Sequence, residues 1–182
     1  MDGVEGKYPV ALAEEVAHQG QRLILRPIHS TDVPAYREFL AQISSQDLYW
    51  RFFNAIRQLP EEEIWHFTHI DYDRQMAFTA VRQASKDAKE EILGVARSFA
   101  DALGKTAEFA LIVRSDLKRQ GVGRLLMQKL IRYCRERNLE QLWGSVLVDN
   151  EPMLSLAKSL GFNAGETNRN VVKVVLNLEA EG

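Results

Sequence analysis

Cysteine is almost absent from this sequence: Cys134 is the only one among 182 residues. No internal disulfide can form, which fits a reducing compartment and points to the cytoplasm. Cys134 lies in a helical pattern and reads as a small buried hydrophobe rather than a nucleophile. Long apolar runs are missing too. No stretch of about eighteen apolar residues occurs, so no segment reads as membrane-spanning. The N-terminus lacks the pattern of a secretory signal. Neither sign of charge dominates: 23 Lys and Arg against 25 Asp and Glu leave a net charge of −2. No global field therefore argues for nucleic acid. Repeats and low-complexity tracts are absent. His66 and His69 stand three apart near a helix end, but no further ligands accompany them, and no metal is expected.

What is present suits one ordinary globular domain. The chain is 46% hydrophobic and 26% charged, and it is long enough to bury a real core. Residues 1–11 show no periodicity and read as a tail or linker; residues 1–20 cover it and the start of a first hairpin. Residues 21–179 read as a single domain. The hairpin spans 14–28 and turns at His18-Gln19-Gly20-Gln21. Ser30-Thr31-Asp32 is the expected cap of a first helix, with Pro34 in its first turn. Ser44-Ser45 caps a second helix and Pro60 opens a third. Residues 75–81, 92–99 and 106–113 form an antiparallel meander. A helix and then a parallel strand over 142–148 follow. Asn150 caps another helix, Gly161 ends it, and Phe162 and residues 171–178 give the closing strands. The class is α+β, a mixed and mostly antiparallel sheet with helices on both faces.

The stretch that carries chemistry runs from Thr106 to Arg137. An apolar strand enters the basic loop Arg114-Ser115-Asp116-Leu117-Lys118-Arg119-Gln120-Gly121-Val122-Gly123-Arg124, which opens into a helix. First-turn N–H groups lack internal partners and sit at the positive end of the helix dipole, which makes an anion site. Gly121 and Gly123 allow close backbone approach. Arg114, Lys118, Arg119 and Arg124 add positive charge. The Walker A reading fails, because Arg124-Leu125 follows Gly123 where Lys-Ser/Thr is needed. The dinucleotide fingerprint lacks its third glycine, with Leu126 in that place.

Lys118-Arg119-Gln120-Gly121-Val122-Gly123 resembles the pyrophosphate loop of the GNAT superfamily of N-acetyltransferases. Asn150-Glu151-Pro152-Met153 with Leu160-Gly161-Phe162 resembles that family's second signature. The likeness runs from about Arg22 to Leu178. Within the family, Leu25-Arg26-Pro27-Ile28, residues 47–53, residues 70–77 and Ala107-Glu108 are similar to bacterial protein lysine acetyltransferases. Lys7-Tyr8-Pro9 resembles their connection to a CoA-ligase-like region. Ala157 stands where many members carry a tyrosine that protonates the departing thiolate.

The resemblance implies a GNAT-like fold whose parallel strands splay apart to admit acetyl-CoA. Backbone groups of Leu111, Ile112 and Val113 would pair with the pantetheine arm, as in strand addition. Lys118, Arg119, Gln120, Gly121, Val122, Gly123 and Arg124 would hold the pyrophosphate. Asn150 would reach the pantetheine besides capping its helix. The expected donor is acetyl-CoA, with no metal. Glu108 interrupts an apolar strand, so it is either a solvated outward residue or a site carboxylate. The resemblance makes it the general base, with Asp116 a weaker candidate. Tyr49, Trp50, Phe52 and Phe53 read as core packing or as one wall of the acceptor site. The expected reaction is acetylation of an exposed lysine on a protein, an AMP-forming acyl-CoA synthetase among the candidates. A small-amine acetyltransferase and a non-catalytic acyl-CoA-binding module are the alternatives.

Overall fold

A computed structural model of the chain describes residues 6–179. Residues 1–5 of the expected tail lie outside the described residues. Eight strands build one sheet: β1 (Glu14–His18), β2 (Gln21–Pro27), β3 (Gln75–Arg82), β4 (Glu91–Ala100), β5 (Thr106–Val113), β6 (Gln141–Leu147), β7 (Asn163–Asn168) and β8 (Val171–Asn177). Their order is β1-β2-β3-β4-β5-β6-β8-β7. Every neighbour pair is antiparallel except β5 and β6. The helices are α1 (Val33–Ala41), α2 (Ser45–Phe52), α3 (Glu61–Thr68), α4 (Val122–Glu136) and α5 (Glu151–Ser159). The mixed sheet and its single parallel pair are those that the strand pattern implies.

Alternation along β4 shows how the two faces are covered. Arg97 points to Tyr36 of α1, while its neighbour Ser98 hydrogen-bonds the Cys134 thiol of α4. Successive strand residues face opposite sides, so α1 and α4 lie on opposite faces. Helix α4 buries Leu126, Met127, Leu130 and Cys134 completely. Gly94 of β4 permits this close approach, since a Cβ there would lie 2.9 Å from Leu126 Cδ1. Cys134 is inert: burial pushes its thiol up to about 12.

Three local details differ from the sequence expectation. Ser30–Asp32 forms a 3-10 turn capped by His29, whose ring accepts from the Thr31 N–H while Asp32 accepts from the His29 N–H. Helix α4 begins at Val122, so Gly123 belongs to its first turn rather than to the loop. Part of the expected tail is docked: Tyr8 donates to the Pro27 carbonyl at 2.8 Å, and its ring meets those of His29 and Tyr72 edge-on. No helix among the described residues is long and apolar enough to cross a membrane.

The feature that positions the site is the incomplete β5–β6 ladder. It contains only Thr106↔Gln141, Ala107↔Leu142 and Glu108↔Trp143. Beyond Glu108 the strands part, although β5 stays paired with β4 as far as Val113. The Phe109 ring lies across Gly144 at the point of parting; a Cβ on Gly144 would sit 2.5 Å from it. Phe162 packs edge-on against the same ring.

Candidate active site

The parted strands open a cavity of about 760 Å³. Its lining includes Glu108 to Val113 of β5, Ser145 and Val146 of β6, Asn150 and one side of α5, the loop before α4, and residues 50–53 of α2. Polar groups from five segments converge on one largely apolar cleft, the usual form of a small-molecule site.

At one end lies the loop before α4. Arg119 and Gly121 adopt left-handed conformations, with φ of 61° and 86°. Such turns curl consecutive N–H groups towards a concavity. The backbone N–H groups of residues 119–124 find no acceptor among the described residues. Lys118, Arg119, Gly121, Val122, Gly123 and Arg124 line the cavity here. Orphan donors, a helix start and two arginines fit a pyrophosphate. Leu111, Ile112 and Val113 lie along the strand edge that β6 leaves open, and they line the cavity too.

Several expected residues take other positions. Gln120 does not line the cavity. Its carbonyl accepts from Gln19 at 3.1 Å and contacts the His18 ring, so the tip of the β1–β2 hairpin buttresses the loop. Arg114 is buried and paired with Asp116 at 2.7 Å, with Glu91 at 4.0 Å. Neither Arg114 nor Asp116 faces the cavity, so the expected charge of Arg114 around the ligand is absent and Asp116 is removed from the candidate bases. Arg114 holds the Asp116 carboxyl below the usual range through its hydrogen bond. Lys118 is engaged: its ammonium pairs with buried Asp47 and lies 4.6 Å over the Trp50 ring. Asp47 also accepts from Ser44 Oγ at 3.0 Å and from Ser115 Oγ at 2.5 Å. Ser115 in turn accepts the Ser44 N–H at 2.7 Å. The start of α2 and the start of the loop thus meet on one carboxylate.

Asn150 caps α5, accepting the Met153 N–H at 3.2 Å, and lines the cavity as well. Ala157 is fully buried and faces the core, while Met153, Ser155 and Leu156 present α5 to the cavity.

Glu108 stands at the opposite end, half-buried, with no ion pair or hydrogen bond among the described residues. Facing it is α2. Core packing accounts for only part of this aromatic group: Phe52 packs against the core and the Phe67 ring, Tyr49 and Phe53 are 39% and 41% exposed, and Trp50, Phe52 and Phe53 line the cavity. Arg51 lies among them, a residue that sequence reasoning did not single out. Its guanidinium packs 4.7 Å over the Phe52 ring and 6.0 Å from Phe67. Burial pushes it down to about 10; nearby Arg97 adds to that, against the opposing influence of Tyr36 and Glu108. It remains a cation at neutral pH. No group of three or more His, Cys, Asp or Glu residues fit for a metal occurs among the described residues; His69 instead stacks on Trp65.

Comparison with known proteins follows the same lines. The profile of the Acetyltransferase (GNAT) family matches residues 44–162. An acetyltransferase of Pseudomonas aeruginosa is 26% identical over 159 residues, covering 87% of this chain and 82% of that protein. The GNAT domain of S. lividans PAT superposes with a TM-score of 0.83 at 23% identity, covering 94% of this chain and 99% of that one. An acetyltransferase from Salmonella typhimurium, solved with its cofactor acetyl-CoA, superposes with a TM-score of 0.69 at 16% identity, over 87% and 95% of the two chains.

Proposed function

Because the chain belongs to the acetyltransferase (GNAT) family, we propose that it moves the acetyl group of acetyl-CoA onto the side-chain amine of a lysine in a partner protein, with Glu108 as general base. One observation carries the reading. A single cleft has, among the described residues, unpaired loop N–H groups at one end and a carboxylate without a hydrogen-bond or ion-pair partner at the other, joined by an open strand edge.

Acetyl-CoA supplies an activated thioester. The N–H groups of residues 119–124, with Arg119 and Arg124, hold its pyrophosphate. The free edge of Leu111, Ile112 and Val113 takes the pantetheine amides. A backbone N–H near Ile112 polarises the thioester oxygen. A lysine amine has a pKa of about 10.4 and is almost wholly protonated at neutral pH. Glu108, directly or through one water, takes that proton so that the nitrogen lone pair can attack. With Ala157 buried, the departing thiolate takes its proton from water.

The aromatic wall of α2 supports a protein acceptor, since Tyr49 and Phe53 are exposed and Phe53 also lines the cavity. An AMP-forming acyl-CoA synthetase is the acceptor class that the sequence resemblance suggests. The test is incubation with acetyl-CoA and either such a synthetase or spermidine, with modified lysines mapped by mass spectrometry. Acetylation of one folded-protein lysine far above spermidine is expected. A higher kcat/KM for spermidine would replace this reading with the small-amine one.

A further inference from the structure

The charge at the acceptor end does not balance within the protein. Arg51 lines the cavity, and no carboxylate of the described residues comes within ion-pair distance of it. Arg97 stands behind it, 4.6 Å over the Phe67 ring that Arg51 also approaches. Arg97 is 3% exposed, and its hydrogen-bond partner is the neutral Tyr36 hydroxyl at 3.4 Å. Two guanidinium groups therefore share one aromatic cluster, with Glu108 as the counter-charge that reaches Arg51. Asp47, the nearest acid on α2, is already neutralised by Lys118.

The packing of Arg51 separates its two kinds of surface. The guanidinium carbon lies 4.7 Å over the Phe52 ring and 6.0 Å from the Phe67 centroid, where cation–π attraction operates. The N–H edge, which carries five donors in a fork matched to a carboxylate, has no hydrogen-bond partner among the described residues. A half-buried arginine is normally paired, because a desolvated charge without a partner is costly. Phosphate is an unsuitable partner here, since the orphan N–H groups that suit it lie at the other end of the cleft. Glu108 is unsuitable as a permanent partner, since no contact joins the two. A cationic lysine alone would add to the excess of positive charge.

Resting on the acetyltransferase reading above, we propose that Arg51 is a specificity-determining residue of the acceptor site, and that the acceptor carries a carboxylate close to the amine that is acetylated. The carboxylate takes the guanidinium fork in a charge-assisted pair. The amine is thereby set towards Glu108. The shared chemistry has two sources: an acidic side chain beside the target lysine of a protein, or the α-carboxylate of a free amino acid.

Matched acceptors separate these sources. One arm compares single-lysine peptides flanked by Glu or by Gln; the other compares free L-lysine with L-lysinamide. Wild type should prefer the carboxylate member of one pair by about tenfold or more in kcat/KM. The pair that shows the preference identifies the source. In Arg51→Gln the ratio should collapse to about one, and in Arg51→Lys it should be intermediate. Thermal melting and acetyl-CoA binding check that each variant is folded. Glu108→Gln should lower turnover on both members and keep their ratio, so failure of the base assignment is distinguishable from failure of the anion site. A second measurement is independent of turnover: the CoA-loaded protein is titrated with glutarate and with uncharged glutaramide, followed by NMR. Glutarate should bind wild type at least about tenfold more tightly than Arg51→Gln, and glutaramide should show no such difference. Equal acceptor ratios in wild type and Arg51→Gln, or equal glutarate binding by the two, would overturn the proposal.

Discussion

Glu108 is the residue on which the proposed chemistry turns. Glu108→Gln keeps the size of the side chain but cannot accept a proton. It should lower kcat by roughly a hundredfold while leaving acetyl-CoA affinity within about twofold. The loss should shrink as pH rises towards the acceptor's own pKa of about 10.4, because more amine is then neutral without help. A pH–rate profile beside calorimetric binding decides this. Near-normal kcat at neutral pH would make Glu108 an ordinary strand residue. Cys134 marks the opposite extreme. It is fully buried with its thiol pushed up to about 12, so the native protein should resist iodoacetamide at pH 8. Alkylation should proceed at the rate of unfolding, or of the local opening that exposes α4. Rapid labelling of the folded protein would contradict the packing described for that helix.

At the level of elements, the loop before α4 and the parted strands each depend on one glycine. Gly121 has φ of 86° and a Cβ there would lie 3.0 Å from His18 Cε1. Gly121→Val should therefore weaken acetyl-CoA binding by about tenfold or more, by forcing the loop off the hairpin tip. Calorimetry reads the change directly, and unchanged affinity would remove this loop from the pyrophosphate site. Gly144→Ala places a methyl into the Phe109 ring and should destabilise the fold by about 1–3 kcal/mol, measured by urea denaturation. The elements themselves were legible in the sequence. The apolar run of residues 106–113, bounded by the turn before it and the basic loop after it, marks β5 to the residue, and Pro152 and Gly161 bracket α5 because each has a strong local preference. The orphan N–H site was legible for the same reason. What depended on distant contacts was not. His18 reaches Gln120 across 102 positions, and no local rule brings a hairpin tip to that loop. Arg114 was misread because proximity in sequence does not fix direction; at the end of β5 it turns to Asp116 and Glu91. Arg51 escaped notice because an arginine in an amphipathic helix reads as solvated until α3 and β4 close around it.

For the molecule as a whole, acetyl-CoA binding only the folded state should raise the thermal midpoint, by about 2.7 kcal/mol of stability at a hundredfold excess over Kd. NAD at the same concentration should give no comparable shift. High pH should act in the other direction. The Cys134 thiol is raised from 9.0 to about 12, and Tyr8 and Tyr133 are raised by burial as well. Each keeps its proton in the folded state after the unfolded chain has lost it. The stability these three groups contribute should therefore be flat below about pH 8 and fall through the alkaline range. Cys134→Ala should lose part of that slope above about pH 9, as denaturation midpoints across pH would show. The carboxylate of Asp47 has a consequence at this scale. It holds Ser44 and Lys118 together, so the proposed acceptor wall and the proposed donor loop share one anchor. Any pull of bound phosphates on Lys118 is felt at α2, and any shift of α2 is felt by the loop. On the proposed function the two substrates should then be thermodynamically linked, with donor binding altering acceptor affinity by a factor that must equal the reverse effect. In Asp47→Asn that factor should move towards one, as calorimetric titration of each ligand with and without the other would show.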